Sequence, residues 1–150
     1  MKLHAKARFA RLWIMLLFTC LSMVSVSAVS FAVPIGKLYQ GGIVFYVDES
    51  HQHGLVVARR DLPGIYDWQG AKEACERFVD GGFSDWYLPS KWQLNELYKS
   101  KRVVGGEQKV YWSSSVDDAG LGWFQTFAYE GYQNAISKNV DLQVRAVRAF

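Results

Sequence analysis

The middle of the chain carries the stretch that decides the fold, Gly82-Phe83-Ser84-Asp85-Trp86-Tyr87-Leu88-Pro89-Ser90. Trp86 and Leu88 are apolar at a spacing of two, which is typical of an extended segment that buries one face. Ser90 has the side chain of a helix N-cap, and Gln93 three residues later completes a capping box. The stretch therefore predicts a buried extended segment that leads directly into a helix.

Upstream of this stretch, the sequence predicts a hairpin and a first helix. Segments 43–47 and 55–58 are β-branched and aromatic, and a polar turn separates them. Asp67 is the expected N-cap of the helix, and Gly81-Gly82 is its expected end. The apolar residues of this helix recur at spacings that place them on one face. They are Trp68, Ala71, Cys75 and Phe78.

Downstream, the helix that begins after Ser90 buries Leu94 and Leu97, and strands follow it. The strands are expected at 110–113, 123–129, 133–137 and 142–150. In the second of them Trp123, Phe127 and Tyr129 share a face by alternation, and Glu130-Gly131 forms the next turn. This order predicts an α+β fold in which two helices pack against a mainly antiparallel sheet.

These motifs occur in the same order in a known family. The series consists of Trp68-x-x-Ala71-x-x-x-Cys75, the stretch 82–90, Glu96-Leu97, Tyr111-Trp112-Ser113-Ser114-Ser115, the aromatic segment 123–132 and Val144-Arg145-Ala146-Val147-Arg148. Over roughly residues 40 to 150 the chain resembles the Lcl C-terminal-domain family, named for the end domain of a bacterial collagen-like adhesin. More distantly, it is similar to the C-type-lectin-like fold. The resemblance implies an exported domain that binds sulfated glycosaminoglycans, although the chain lacks the Gly-x-y repeat of a trimerising collagen stalk.

The first 32 residues have the pattern of a signal peptide. A basic start precedes an uncharged apolar run, and Ala28 and Ala32 each complete a site that a signal peptidase accepts. An uncleaved anchor and a lipoprotein modified at Cys20 are the alternatives. We therefore expect a signal peptide at 1–32 and a single folded domain at 33–150. The domain carries all 14 acidic residues and 13 of the 17 basic ones, so its net charge of −1 argues against nucleic-acid binding.

The sequence offers weak candidates for catalysis or metal binding. Ser113-Ser114-Ser115 lacks the Gly-x-Ser-x-Gly context of a nucleophile. His51 and His53 could hold a metal, but they lie in the predicted turn, where a solvated turn is the simpler interpretation. Asp117-Asp118 could bind calcium weakly, but a solvated turn explains these residues as well. Cys75 is interpreted as a buried hydrophobe. We expect no catalytic residue, no metal and no cofactor. The tryptophans interpreted as core rather than ligand contacts are Trp68, Trp86, Trp112 and Trp123.

One basic cluster remains as the candidate binding site. It consists of Lys91, Lys99, Lys101, Arg102 and Lys109. Such cations can pair with sulfate or phosphate oxygens, although they can also simply complement the dipole of a helix C-terminus. The sequence thus predicts a non-catalytic, adhesin-like domain that recognises polyanionic glycans in the periplasm, at the cell surface or after secretion. A protein–protein interaction or structural module is the alternative. Neither nucleic acid nor, after leader cleavage, a membrane span is expected, and the oligomeric state is open.

Overall fold

The computed structural model describes residues 33–150, so the predicted signal peptide at 1–32 lies outside the described residues. In chain order the elements are β1 (Leu38–Tyr39), β2 (Gly42–Val47), β3 (Gly54–Val57), α1 (Trp68–Glu76), α2 (Lys91–Lys99), α3 (Lys101–Val104), β4 (Val110–Val116), β5 (Gly122–Thr126), a 3-10 turn (Tyr129–Gly131), β6 (Gln133–Ile136) and β7 (Val147–Ala149). These helices and two antiparallel sheets confirm the α+β class. No helix within residues 33–150 has the length and hydrophobicity that a membrane crossing needs.

The first sheet has the strand order β1-β2-β3-β7. The predicted hairpin is confirmed as β2 and β3, with Ile43 opposite Val57. The predicted closing strand over 142–150 is too long, because only β7 pairs continuously with β3. Its beginning instead makes single bridges, from Leu142 to Tyr66 and from Gln143 to Tyr111. The closing segment therefore makes isolated contacts with Tyr66 and Tyr111 before it joins the first sheet as β7.

The second sheet has the strand order β4-β5-β6. The prediction that a strand runs to Tyr129 is wrong, because β5 ends at Thr126. Beyond it, Tyr129 and Glu130 adopt left-handed φ angles of 43° and 60°, which end a strand. The predicted shared face is wrong for the same reason: Phe127 is fully buried, whereas the side chain of Tyr129 is 89% exposed.

The two longer helices begin as their caps predict. The Asp67 carboxylate accepts a hydrogen bond from the Gly70 amide at 2.7 Å. Ser90 and Gln93 form the reciprocal capping box. Helix α1 ends at Glu76, earlier than predicted, and Gly81-Gly82 instead forms a separate tight turn. The short helix α3 was not predicted, because its four residues carry no periodic pattern.

The core consists of two groups of buried side chains. One surrounds Trp86 and Trp112, which confirms both as core residues. The other packs helix α2 against the first sheet and includes Leu94 and Leu97. Trp68 is only partly buried, and its indole N–H donates to the Ser113 carbonyl at 2.8 Å. Trp123 is also only partly buried and belongs to neither core group, so the prediction of a core role holds for Trp86 and Trp112 and not for Trp123.

An arginine joins the stretch 82–90 to the end of the chain. The Arg148 guanidinium hydrogen-bonds to the Asp85 carboxylate and lies 3.8 Å from the centre of the Phe83 ring. Its Nη1 also donates to the side chain of Gln40 at 3.0 Å. Asp85 and Arg148 belong to two separate motifs of the sequence, and this contact joins the two motifs in the fold.

Cys75 provides a test of the assigned core. The residue is fully buried, and burial, followed by the nearby charge of Glu76, raises the pKa of its thiol to about 12. Since the thiolate is the reactive form, we expect alkylation of Cys75 to be slow in native buffer at pH 8 and rapid in denaturant. Peptide mapping after timed alkylation of the full chain measures this, and separates Cys75 from Cys20. Rapid native alkylation of Cys75 would show that the apolar face of α1 is misassigned.

Candidate functional site

The structure divides the predicted basic cluster into three parts. Lys91 lies at the start of α2, and Lys99 lies in its last turn, about 12 Å away along the helix axis. Lys101 and Arg102 follow directly in α3. Lys109 lies beyond the Gly105-Gly106 loop and faces a different group of residues. The five cations therefore do not form one patch, and only Lys99, Lys101 and Arg102 share the end of α2.

The three cations at the end of α2 have different partners. The Lys99 ammonium pairs with a carboxylate oxygen of Glu96 at 2.6 Å. The Lys101 ammonium donates to the Phe127 carbonyl at 2.8 Å. Arg102 is exposed and has no ion pair or hydrogen bond from its side chain within residues 33–150. Arg102 is thus available to an anion, whereas Lys101 is held in a fixed position.

An exposed aromatic turn lies beside these cations. Lys101 contacts Phe127, and Tyr129 follows two residues later with 89% of its side chain exposed. The turn rests on helix α2, because a Cβ atom at Gly131 would lie 2.4 Å from the ring of Tyr98. We call the surface formed by Lys99, Lys101, Arg102 and Tyr129 the helix-end surface. The sequence predicted Tyr129 as a strand residue and gave the Tyr129 to Tyr132 turn as the alternative place for a glycan site.

The backbone of this turn is held in an unusual conformation. Tyr129 and Glu130 are non-glycine residues in the left-handed region, which costs roughly 1–2 kcal/mol per residue. The side-chain amide of Gln125 donates to the Gly131 carbonyl at 3.0 Å, and the same amide reaches Asn95 in α2 at 3.1 Å. These bonds tie the turn to the helix and keep Tyr129 pointing into solvent.

Lys91 lies apart from this surface. Its ammonium is 3.1 Å from the centre of the Trp123 ring, and its backbone N–H donates to the Ser115 hydroxyl at 2.9 Å. A cation over a tryptophan face contributes about 0.5–2 kcal/mol, so Lys91 stabilises the contact between α2 and the second sheet. The prediction that it belongs to a single patch with Lys99 does not hold in the structure.

Lys109 belongs to a group of charged residues that the sequence analysis missed. Its ammonium pairs with a carboxylate oxygen of Asp61 at 2.5 Å. The same carboxylate accepts from the Tyr111 hydroxyl at 3.2 Å, and its other oxygen lies 3.5 Å from Nε of Arg145. Burial, together with the charge of Asp61, raises the pKa of Tyr111 well above its usual range. Tyr111 therefore stays a neutral hydrogen-bond donor to Asp61.

Asp61, Lys109 and Arg145 line a cleft of about 530 Å³. Its cations come from three separate parts of the chain: the segment after β3, the residue before β4 and the closing segment. They are Arg59, Arg60, Lys109 and Arg145. We call this the arginine cleft. Sequence proximity could not reveal it, although the pair Arg59-Arg60 directly after a buried strand was a local signal.

A neighbouring cleft of about 550 Å³ adjoins the same segment and includes Phe78 and Asp80. There Arg59 donates to the Asp80 carboxylate at 2.8 Å. This bond lowers the pKa of Asp80 below its ordinary value and raises that of Arg59. Arg59 is thus partly neutralised, while Arg60 has no ion pair within the described part of the chain.

The other candidates of the sequence analysis lie in turns and strands. The His53 ring lies 3.4 Å from Asp48 in the exposed turn between β2 and β3. Residues 33–150 contain no group of three or more side chains of the kind that holds a metal ion. Asp117 accepts backbone hydrogen bonds from Ala119 and Leu121 at 3.0 and 2.8 Å, so its carboxylate orders its own turn. Ser113 is buried in β4.

Compared with protein-family models and with curated proteins, the chain gives no match. The resemblance to the Lcl C-terminal-domain family therefore stays a prediction from the motifs.

Proposed function

We propose that this chain is an exported, non-catalytic binding domain that recognises sulfated glycans through the helix-end surface. Its fold would be C-type-lectin-like, as in the Lcl C-terminal-domain family. The proposal makes the protein adhesin-like and places its ligand at or outside the cell envelope. The motif series supports the family resemblance, and the helix-end surface supports the proposed class of ligand.

The observation that carries this proposal is the contact of Lys101 with the Phe127 carbonyl, which brings the turn with the exposed Tyr129 to the end of α2. Arg102 follows Lys101 directly in α3. A guanidinium binds a sulfate as a fork and an ammonium binds it as a point charge. An exposed tyrosine ring offers an apolar face for the C–H side of a sugar, with its hydroxyl in water. A sulfated glycan presents both chemistries along one chain, so the two kinds of side chain fit it together.

The same residues favour binding over catalysis. The helix-end surface offers cations and one phenol, with neither a nucleophile next to a base nor a pair of carboxylates within it. Within residues 33–150 the two histidines, His51 and His53, both lie in the exposed turn between β2 and β3. Ser113, the first serine of the Ser-Ser-Ser run, uses its hydroxyl to accept from the Ser115 amide at 3.3 Å.

One observation favours the alternative, a protein partner. Val103 is 54% exposed next to Arg102, and Ile35 is 55% exposed. These two lie close together, because a Cβ atom at Gly36 would be 3.4 Å from the Cβ of Val103. A small apolar patch thus adjoins the helix-end surface, and a protein that docks there would bind with little dependence on salt.

Retention on immobilised heparin tests the glycan proposal. Replacing Lys99, Lys101 and Arg102 together by glutamine should lower the salt concentration at which the chain elutes. Because each cation paired to a sulfate releases a counterion, the slope of log affinity against log salt should also flatten. The melting temperature should fall modestly. Lys99 and Arg102 are exposed charges that contribute about 0–1 kcal/mol each, whereas Lys101 loses a charged hydrogen bond to the Phe127 carbonyl, worth about 1.5–3 kcal/mol.

The matched control replaces three cations elsewhere, Lys72, Arg77 and Lys138, by glutamine, which changes the net charge equally. It should elute near the wild-type protein. Tyr129→Ala should lower retention and leave the salt slope unchanged, since it removes stacking and no charge. Equal shifts for the two triple variants, or no shift for either, would overturn the proposed glycan surface.

A further inference from the structure

The arginine cleft contains a positively charged side chain that is already fixed in place. Arg145 is only 5% exposed. Its Nε donates to the Ala58 carbonyl at 3.1 Å, and its Nη2 donates to the Arg59 carbonyl at 3.4 Å. A guanidinium held by main-chain carbonyls loses little conformational entropy when it binds a ligand.

The remaining nitrogen of this guanidinium lies at the wall of the cleft. Nη1 of Arg145 is 3.9 Å from the position that a Cβ atom on Gly105 would occupy. Gly105 and Gly106 both line the cleft with positive φ angles of 80° and 91°. At Gly106 a Cβ atom would lie 2.4 Å from the Tyr111 hydroxyl, so the loop needs glycine there. The glycine loop thus packs beside the fixed arginine, and only a small part of the Arg145 guanidinium reaches the cleft surface.

The charges around the cleft do not balance. Its lining holds four cations and one carboxylate, Asp61, and Asp80 neutralises part of Arg59 from the neighbouring cleft. Both oxygens of Asp61 already interact with Lys109, Arg145 and Tyr111. Asp61 therefore positions two of the cations, and an excess of positive charge remains, with Arg60 free to move toward a ligand.

The size of the cleft limits the size of the ligand that these cations can bind. A volume of about 530 Å³ is within the ordinary range for small-molecule sites and would hold a sugar with one anionic substituent. Several converging N–H donors suit a tetrahedral oxyanion better than a single carboxylate, because they can surround its three or four oxygens.

We propose that the arginine cleft is a binding site for a sugar-sized ligand that carries one sulfate or phosphate group, held by Arg60, Lys109 and Arg145. None of these three cations belongs to the helix-end surface, although Val104 and Gly105 at the end of α3 line the cleft. The site therefore does not depend on the proposed glycan-binding function. The two differ in the chemistry that they recognise, since the cleft takes a single compact oxyanion and the helix-end surface takes an extended chain.

Calorimetric titration of the full chain with glucosamine 6-sulfate and with glucose 6-phosphate tests the proposal. Saturable binding of either ligand is expected, and the preference between them identifies the source of the oxyanion. Arg60→Gln should weaken that binding about tenfold, because it removes a charged hydrogen bond while its exposed side chain supports nothing in the fold. Arg145→Lys keeps the charge but loses the fork, and should also weaken it.

Arg102→Gln is the matched control, because it makes the same change at an exposed arginine of the helix-end surface. It should leave the titrations unchanged and lower heparin retention, whereas Arg60→Gln should weaken the titrated binding. The cleft assignment is overturned if neither ligand binds saturably, or if Arg60→Gln and Arg102→Gln weaken binding equally. If a variant loses heparin retention but still binds the titrated ligands, the result bears on the helix-end surface and not on the arginine cleft.

Discussion

Replacing Trp86 by alanine should lower the free energy of unfolding by about 3–5 kcal/mol. The side chain is 2% exposed and lies at the centre of the first core group. Its indole N–H donates to the Phe83 carbonyl at 3.1 Å, and its ring meets Phe78 edge-on, with ring centres 5.8 Å apart. Alanine would leave a large cavity, while the Phe83 carbonyl would keep its hydrogen bond from the Asp80 N–H at 3.1 Å. Urea unfolding followed by circular dichroism measures the loss.

Trp92 supplies the control for this change. It is 51% exposed and meets Tyr46 edge-on, with ring centres 5.0 Å apart. We expect Trp92→Ala to cost about 1 kcal/mol or less, since little apolar area returns to water. If Trp86→Ala unfolds the chain, Trp86→Phe still gives a measurable intermediate loss. Equal losses for Trp86→Ala and Trp92→Ala would show that the core is not built around Trp86.

The turn after α1 provides the second large effect. Gly81 and Gly82 both have positive φ angles, 62° and 85°, so alanine at either position is strained by roughly 1–2 kcal/mol. Only Gly81 also lies against another part of the backbone. A Cβ atom there would be 2.4 Å from the Cα of Gly41, whereas nothing lies within 4 Å of one at Gly82. Two backbone segments thus meet at Gly81 with no room for a side chain.

We therefore expect Gly81→Ala to destabilise the chain by about 2–5 kcal/mol, which adds overpacking of ~1–3 kcal/mol to the left-handed strain. Gly82→Ala should cost only the strain. The difference between the two midpoints of urea unfolding isolates the contact with Gly41. Similar midpoints for both variants would mean that this close approach does not occur.

Local signals in the sequence predicted much of the fold. The Ser90–Gln93 capping box and the cap at Asp67 depend on residues within one turn, and both are confirmed. The hairpin of β2 and β3 follows from two β-branched and aromatic runs on either side of a polar turn, and it is confirmed as well. Trp86 and Trp112 could be assigned to the core because a small domain with one cysteine has no internal disulfide and relies on large buried aromatics for stability.

The errors arose where distant residues determine a boundary. Helix α1 stops before Gly81 because the following residues form a tight turn against Gly41, which no local pattern reveals. Strand β5 stops early because Tyr129 and Glu130 take left-handed φ angles in a turn that Gln125 ties to Asn95 of α2. In both cases a contact with a remote segment, Gly41 or α2, prevails over local periodicity.

The candidate site was predicted only in part for a similar reason. Lys99, Lys101 and Arg102 are near in sequence and remain near in space, whereas Lys91 and Lys109 are carried away by α2 and by the glycine loop. The arginine cleft joins positions 59–60, 109 and 145, so only the tertiary fold brings its charges together. Reasoning from residues that are close in sequence therefore identified the helix-end surface. It missed the arginine cleft, because three distant segments form that cleft.

The pairing of β3 with β7 bears on when the domain can form during synthesis. Leu55 lies opposite Ala149, more than ninety residues later, so one edge of β3 stays unpaired until almost the whole domain has been made. Closing such a long loop is costly in entropy, and sheets with distant partners fold slowly. A growing chain would stay largely unfolded throughout translation. This delay suits a protein that must pass through a narrow membrane pore before it folds, as the proposed export requires.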